Sequence, residues 1–392
     1  MHFDFDTVID RRNTNSIKFD CAAEMGKPID ALPLWVADMD FQCPPSVQNA
    51  LKKAAGFGIF GYSKSSAAYD EALVNWFSNR FHWQMNPDWV VKTPGVVFAL
   101  ANAVRAFTEP GDAILIQTPV YYPFYNVIRE NNRIIVENPL IYQDGKYSMD
   151  FQDLEQKIQA QHVKMMILCS PHNPICRVWT KDELQQLGAI CKKYGVIMIS
   201  DEIHCDFTYP GHVHTPFVLA NPDLLDNCVI CTAPSKTFNL AGLQASNIII
   251  PGEDLRNKFN AELGRCSAPG PNLMGLIACQ AAYEDGAAWL DACKQYIQGN
   301  LDYVRSCLRE HIPQIKLVEP DGTYFAWMDC SGLGMTVEEL EHFILHNAKL
   351  WLDGGIMFGT ASGQFQRMVL ACPRAMLQRA MERLKAAVNS LN

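Results

Sequence analysis

The chain has 392 residues, of which 48% are hydrophobic and 19% charged, so it can bury a large core and is neither disordered nor fibrous. Its 33 lysines and arginines against 42 aspartates and glutamates give a net charge of -9, and no basic run could neutralise a row of phosphates. This composition argues against nucleic acid as a partner, and the strand-sized apolar runs argue against a membrane span.

Neither the first residues nor the cysteines indicate a secreted protein. Residues 1–6 contain no basic region followed by an apolar one, and the 14 cysteines are scattered along the chain. We therefore expect a cytoplasmic enzyme with reduced, mostly buried thiols. Cys228 and Cys231 form a C-x-x-C pair within an apolar run, but residues three apart in a strand point to opposite faces, so a shared metal or redox pair is not predicted.

Short apolar runs alternate with amphipathic stretches between residues 90 and 250, which is typical of a mostly parallel sheet covered by helices on both sides. The sequence thus predicts an α/β fold. The predicted strands are residues 113–116, 165–169, 196–200, 228–232 and 247–250. The predicted helices between them are 96–107, 151–159 and 181–193.

The pattern changes beyond about residue 285, where long helical stretches precede strands at 316–319 and 323–328 and a C-terminal helix. This region predicts a smaller α+β domain. The first forty-odd residues show little periodicity and predict an arm that packs on the molecule or on a partner subunit. The predicted division is an N-terminal arm with part of the small domain at 1–48, a large domain at 49–285 and a small C-terminal domain at 286–392.

Polar residues follow the predicted strands, at the edge of the sheet where α/β proteins bind ligands. The chemically reactive or polar groups at these ends are Tyr121 and Tyr122, Asn173, Asp201 with His204, and Thr232 with Ser235 and Lys236. A further group is the start of the helix at 96–107, where the backbone N–H groups of Val96 and Val97 favour an anion. No glycine-rich nucleotide-binding motif competes for that role.

These groups match the needs of one cofactor, pyridoxal 5′-phosphate (PLP). PLP requires a lysine for a Schiff base, a carboxylate that keeps its ring nitrogen protonated, an aromatic face and an anion site for its phosphate. Lys236, Asp201 and one of the adjacent tyrosines, Tyr121 or Tyr122, supply the first three, and the helix start supplies the fourth. The sequence therefore predicts a PLP enzyme that acts on a small amino-acid substrate, with the large domain binding PLP.

The run 233–243 around Lys236 resembles the lysine motif of fold-type I PLP-dependent enzymes, the class I/II aminotransferase superfamily, and the resemblance covers essentially the whole chain. It implies the aspartate-aminotransferase-like fold and a homodimer with active sites at the subunit interface. The site residues it implies are Asn173 at the phenolic oxygen of PLP, Asp201 at the ring nitrogen, Tyr121 stacked on the ring, Arg367 at the substrate α-carboxylate, and Tyr62 at the phosphate and substrate of the neighbouring subunit.

Segments 34–41, 201–204 and 235–239 resemble the MalY/PatB subgroup of cystathionine β-lyases. This resemblance implies a carbon–sulfur β-lyase of amino-acid metabolism and methionine biosynthesis. It would cleave L-cystathionine and related cysteine S-conjugates to a thiol such as homocysteine, pyruvate and ammonia. It also implies that Ala37 lies by the substrate and His204 near the phenolic side of the cofactor. Two alternatives stay open: an aminotransferase, and a lyase with an additional regulatory binding role.

Four positions depart from the family pattern. Cys176 replaces a usual glycine, and Val369 replaces an asparagine that is frequent two residues after the arginine. Ala233 and Gln244 replace a serine and an arginine that would normally touch the phosphate. The phosphate site should therefore depend more on Thr232, Ser235, Tyr62 and backbone amides.

A metal site is the competing interpretation, because histidines and acids gather after the strand at 196–200. The residues concerned are Asp201, Glu202, His204, His212 and His214. The His-x-His spacing can place both rings on one face of a strand. That interpretation leaves Lys236, Tyr121 and Asn173 without a role, so no metal is predicted.

Overall fold

The computed structural model describes residues 3–268 and 270–391; Met1 and His2, the start of the predicted arm, lie outside these ranges. Its central sheet has seven strands: β1 (Val90–Thr93), β2 (Ala113–Thr118), β3 (Ile134–Pro139), β4 (Met165–Cys169), β5 (Ile197–Asp201), β6 (Cys228–Thr232) and β7 (Ser246–Ile249). Their order is β1-β7-β6-β5-β4-β2-β3. Of these seven, β7 alone runs in the direction opposite to the other six, which confirms the predicted mostly parallel sheet.

The central strands are buried on both faces, because the residues that point to either face of the sheet are apolar. Met166 of β4 faces one core cluster and Ile167 the other, on the opposite side of the sheet. Cys228 of β6 likewise faces the first cluster and Cys231 the second. The predicted opposite orientation of the C-x-x-C pair is confirmed. All fourteen cysteines are free thiols.

Helices cover both faces of this sheet. The α-helices of six or more residues in the described part of the chain are α1 (Pro45–Phe57), α2 (Ala67–Phe81), α3 (Val96–Phe107), α4 (Pro123–Arg129), α5 (Phe151–Ala160), α6 (Lys181–Tyr194), α7 (Glu253–Arg265), α8 (Leu273–Asp285), α9 (Ala287–His311), α10 (Val337–His342) and α11 (Arg374–Asn389). Helices α3, α4 and α7 pack on one face, and α5, α6, α8 and α9 contribute to the core of the other. Within 3–268 and 270–391, no helix combines the length and apolarity that crossing a bilayer requires.

A second, antiparallel sheet follows in the C-terminal part of the chain. Its strands are β8 (Lys316–Val318), β9 (Phe325–Asp329), β10 (Asp353–Gly354) and β11 (Phe365–Val369), in the order β8-β9-β11-β10. The pairing of β10 with β11 places Asp353 directly opposite Arg367. The N-terminal arm packs beside this sheet, where Leu32–Pro33 pairs with Leu350–Trp351 and the rings of Trp35 and Trp351 stack at 4.5 Å.

A buried group of charges fixes the arm to the segment that follows it. Lys18 is fully buried, and its Nζ lies 2.6 Å from Asp40 Oδ2 and 3.4 Å from Asp38 Oδ1. Arg11 contacts the same two carboxylates, at 2.6 Å from Asp38 Oδ2 and 2.7 Å from Asp40 Oδ1. Two cations therefore hold the segment between Asp38 and Asp40.

We expect Asp40→Ala to destabilise the protein by about 3 to 5 kcal/mol, because it leaves the ammonium of buried Lys18 without its nearest partner. The shift of the urea midpoint, measured at one fixed protein concentration, checks this expectation. Asp10→Ala is the matched control, since Asp10 pairs with Arg12 in the open, and it should leave the midpoint unchanged. Equal midpoints for the two variants would contradict a stabilising role for the buried cluster.

Candidate active site

The carboxyl ends of β2, β4, β5 and β6 lie side by side at one edge of the central sheet, since these strands are parallel neighbours. Tyr121 follows β2, Asn173 follows β4 and Asp201 ends β5. Lys236 follows β6 in the one-turn helix Pro234–Thr237. The fold thus brings four of the predicted site residues to a common edge.

Lys236 is half-buried, and its Nζ donates a hydrogen bond to the carbonyl oxygen of Ala37 at 2.6 Å. The hydroxyl of Tyr324 donates to the same oxygen at 3.1 Å. Burial lowers the pKa of Lys236 to about 8; Arg367 also lowers it, while Asp38 and Asp201 oppose the shift. A substantial fraction of the amine is therefore neutral near physiological pH, which is the form that attacks a carbonyl or accepts a proton.

Asp201 is buried, and its Oδ1 accepts one hydrogen bond, from the backbone N–H of Ile203 at 3.2 Å. In the described part of the chain, no lysine or arginine forms an ion pair with it within 4.0 Å. Burial raises the pKa of Asp201 to about 7, neighbouring Glu202 adds to this, and Ile203 and Lys236 oppose it. Asp201 is therefore a buried carboxyl group that a cationic partner would stabilise.

Arg367 is buried in β11 and donates to three acceptors. Its Nη1 donates to Asn173 Oδ1 at 2.7 Å, and its Nη2 donates to the carbonyl oxygen of Trp35 at 3.0 Å and to Asp353 Oδ2. The arginine expected to hold a substrate carboxylate thus lies against Asn173, as a shared site requires, but it already has a carboxylate partner within the chain.

Tyr121 and His204 lie among aromatic neighbours. Tyr121 is half-buried with its ring centroid 5.4 Å from that of Tyr122, and burial raises the pKa of its hydroxyl well above the usual range. His204 is buried 5.5 Å from the ring of Tyr324 and 5.4 Å from that of Phe325. Burial is the main cause that holds the pKa of His204 far below its usual range, and the charges of Lys236 and Arg367 lower it further. The imidazole is therefore neutral.

The start of α3 offers an anion site at the same edge, because β1 leads into it and runs parallel to β6. No side chain caps this helix and its first turn contains no acid, so the N–H groups of Val96 and Val97 are free for a ligand. The Thr232 hydroxyl donates to the carbonyl oxygen of Asn247 at 3.0 Å and retains its acceptor lone pairs. Ser235 is half-buried.

Tyr62, in contrast, is not brought to this edge within one chain. Its side chain is fully exposed in a groove between α1 and α8, together with Phe57 and Ile59. Its predicted role at a neighbouring subunit's site stays a prediction.

The four departures from the family pattern have distinct structural settings. Cys176 adopts a left-handed backbone with φ 61, the conformation that favours glycine, and its Sγ donates to the carbonyl oxygen of Pro174 at 3.2 Å. Ala233 is buried and Gln244 is exposed. Val369 is buried, and its backbone N–H donates to the carbonyl oxygen of Leu34 at 2.9 Å.

The residues of the metal hypothesis separate in the structure. Glu202 points away from Asp201 to His214, whose Nε2 lies 2.9 Å from Glu202 Oε2, and His212 lies 3.4 Å from Asp321. Both histidines lie in a loop, so the strand geometry considered for them is wrong. Among the described residues, no group of three His, Cys, Asp or Glu side chains is arranged to hold a metal ion.

Comparisons with known proteins identify the family of the chain. Residues 29–384 match the family described as aminotransferase class I and II. The chain belongs to this family. It is 43% identical over 385 residues to cystathionine beta-lyase PatB of Bacillus subtilis (strain 168), which covers 98% of this chain and 100% of PatB.

Two further relatives support the same assignment to the aminotransferase class I and II family. Protein MalY of Escherichia coli (strain K12) is 32% identical over 392 residues, covering 99% of this chain and 100% of MalY. Cystalysin from Treponema denticola, whose crystal structure contains PLP, has a TM-score of 0.97 and 39% identity, with 100% of each chain covered. The resemblance to the MalY/PatB subgroup is confirmed, and so is the PLP-dependent transferase fold.

The residues at this edge fit PLP. The buried Asp201 carboxyl lacks a cation, which a protonated ring nitrogen would supply, and Lys236 has the lowered pKa that Schiff-base formation requires. The uncapped start of α3 fits the phosphate dianion.

We expect the rate of PLP uptake by cofactor-free protein to rise about tenfold per pH unit below the Lys236 pKa of about 8 and to level off above it. Only the neutral amine attacks, and an exposed lysine with a pKa of about 10.4 would keep accelerating beyond this range. Stopped-flow absorbance of the lysine-bound cofactor measures the rate. Nα-acetyl-lysine in the same buffers corrects for titration of PLP itself. A rate that continues to rise through pH 10 would show that Lys236 is not the perturbed group described.

Proposed function

We propose that the chain is a PLP-dependent carbon–sulfur β-lyase. It would cleave L-cystathionine and related cysteine S-conjugates to a thiol, pyruvate and ammonia. The observation that carries this proposal is the 43% identity to cystathionine beta-lyase PatB over nearly the full length of both chains. The buried Asp201 carboxyl and the Lys236 amine at one edge of the central sheet, with Arg367 against Asn173, support it chemically.

When bound, PLP supplies an electron sink that stabilises negative charge on the substrate α-carbon. Lys236 would hold the cofactor covalently, and its neutral amine would serve as the acceptor of the α-proton. Asp201 would hold a proton at the ring nitrogen, and Asn173 would donate to the phenolic oxygen. Arg367 would bind the substrate α-carboxylate through its buried guanidinium.

Three other groups complete the proposed site. The Tyr121 ring would cover the face of the cofactor, and its hydroxyl stays protonated because burial raises its pKa. Ala37, whose carbonyl oxygen accepts from Lys236, lines the substrate side. Val96, Val97, Thr232 and Ser235 would hold the phosphate, and neutral His204 would lie near the phenolic side. Loss of the β-thiolate then distinguishes the lyase from an aminotransferase.

We further propose a homodimer in which Tyr62 reaches the partner's site. The exposed apolar surface around Tyr62 supports this, since Phe57, Ile59 and Phe60 are each more than half exposed, at 73%, 65% and 62%. The predicted arm at 1–48, large domain at 49–285 and small domain at 286–392 stay proposals, as does a cytoplasmic location.

The deciding experiment combines spectroscopy with product analysis on the purified protein. Lysine-bound PLP should give visible absorbance, and L-cystathionine should release pyruvate and free thiol in equal amounts. Turnover that instead requires an added 2-oxo acid and yields no pyruvate from cystathionine would move the assignment to an aminotransferase. Protein that gains no visible absorbance after incubation with PLP would overturn the proposal.

A further inference from the structure

The guanidinium of Arg367 has a carboxylate partner before any substrate arrives. Three hydrogen bonds use its Nη1 and Nη2: to Asn173, to the carbonyl oxygen of Trp35 and to Asp353. Within the described residues, its buried Nε–H has no hydrogen-bond partner. Since arginine has five N–H donors, the Nε–H and one Nη1–H remain for a second anion.

The fold itself builds this ion pair and prevents it from separating. Asp353 in β10 stands directly opposite Arg367 in β11, and their exposed fractions are 5% and 2%. The guanidinium carbon lies 4.3 Å from the ring centroid of Phe325 and 4.9 Å from that of Phe358. The two rings pack close to the guanidinium, and the burial of both partners keeps the ion pair away from water.

A substrate carboxylate that binds here must share one positive charge with Asp353. Two carboxylates and one guanidinium leave a net negative charge in a buried place, which costs free energy that a single pair does not. Burial already raises the pKa of Asp353, although Arg367 and Lys27 oppose this, so the surroundings disfavour its charge even with Arg367 present.

We propose that Asp353 is an internal competitor for the carboxylate-binding arginine. In the substrate-free site it neutralises and positions Arg367; on binding, it weakens the hold of Arg367 on any incoming carboxylate. This inference rests on the proposed function, because it takes Arg367 as the residue that receives the α-carboxylate. Asp353 is a positioning residue with an effect on specificity: simple carboxylates gain only the weakened arginine contact, whereas amino acids gain further interactions through their amino group.

The test measures binding of propionate, a carboxylate without an amine, to PLP-loaded wild type and Asp353→Asn by titration calorimetry. The variant should bind propionate at least about tenfold more tightly, because the buried arginine then lacks a competing charge. Its KM for L-cystathionine should fall while kcat stays within about threefold of wild type. Unliganded Asp353→Asn should unfold at a lower temperature, and propionate should restore more of its stability than it adds to wild type.

Asp329→Asn is the matched control. Asp329 is a partly buried acid of β9 in the same sheet, but it accepts from the Tyr142 hydroxyl at 3.3 Å and the Ser331 N–H at 3.0 Å. Its substitution should leave propionate affinity unchanged. Arg367→Ala should abolish propionate binding, which verifies where the probe binds.

Equal or weaker propionate binding by folded Asp353→Asn would overturn the proposal and leave Asp353 with a purely structural role. If that variant does not fold, Asp353→Ser removes the same charge with a smaller side chain, and the same affinity comparison decides. Propionate binding unaffected by Arg367→Ala would also overturn it. A wild type that binds propionate but does not cleave L-cystathionine would contradict the proposed function alone, because the binding comparison involves no turnover.

Discussion

Replacing Lys236 by alanine is expected to lower the rate of thiol and pyruvate release from L-cystathionine by at least about 10³-fold. The Lys236 amine lies 2.6 Å from the Ala37 carbonyl oxygen, at the edge that also carries Asp201. Burial lowers its pKa to about 8, so the neutral amine is accessible at working pH. Alanine offers neither a nucleophile nor a proton acceptor, and both the covalent attachment of PLP and the removal of the α-proton are lost.

Pyruvate and thiol release at saturating PLP measure this effect, and the visible absorbance of lysine-bound cofactor should vanish with it. Lys294→Ala is the matched control, because burial lowers the pKa of Lys294 too, yet this lysine lines a surface groove with Asp291 and Gln298. The control should keep wild-type activity. A Lys236→Ala protein with full β-lyase activity would eliminate the proposed mechanism.

The central strands could be predicted because their apolar runs end abruptly in turn residues. Strands β4 and β6 and helix α3 occur at their predicted bounds. Strands β1 and β3 were not predicted, and both lie at the ends of the sheet order. Edge strands are only half covered, so they carry polar residues such as Lys92 and Glu137 that interrupt the apolar pattern.

The convergence of Tyr121, Asn173, Asp201 and Lys236 followed from topology alone, since the carboxyl ends of parallel strands share an edge. Asp353 could not be predicted as their neighbour. It lies in a two-residue strand, and only the antiparallel register of β10 and β11 places it against Arg367. One signal was available: Asp353 directly follows the apolar run 350–352, where an acid requires a buried partner.

The arm illustrates a similar limit. The sequence predicts that it packs on the molecule or on a partner subunit, but not that Lys18 pairs with Asp40, because the arm has no periodicity that sets its path. Tyr324 was likewise missed, since nothing in the strand pattern shows that its hydroxyl reaches the Ala37 carbonyl oxygen. Long-range polar contacts of this kind depend on tertiary geometry, whereas the local sequence pattern is enough to predict the burial of apolar strands.

Replacing Asp201 by asparagine is expected to lower kcat about 10²-fold while PLP still binds, because a hydrogen bond to a charged group contributes about 1.5 to 3 kcal/mol. Asparagine has the same size but cannot stabilise a proton at the ring nitrogen.

The same substitution should not reduce the stability of the cofactor-free protein. The folded-state pKa of Asp201 is raised to about 7, so wild-type stability falls between about pH 4 and pH 7 and stays reduced above it. Cofactor-free Asp201→Asn should therefore be at least as stable as wild type at pH 8, as measured by urea midpoints.

A cofactor analogue with carbon in place of the ring nitrogen separates the electrostatic role of Asp201 from a structural one. With PLP the wild type should exceed Asp201→Asn about 10²-fold, whereas with the analogue the two proteins should turn over at similar low rates. The two changes remove the same interaction, so their effects should not add. A full additional loss in Asp201→Asn with the analogue would mean that Asp201 acts elsewhere than at the ring nitrogen. The buried carboxyl without a cation would then require another partner to explain its position at the end of β5.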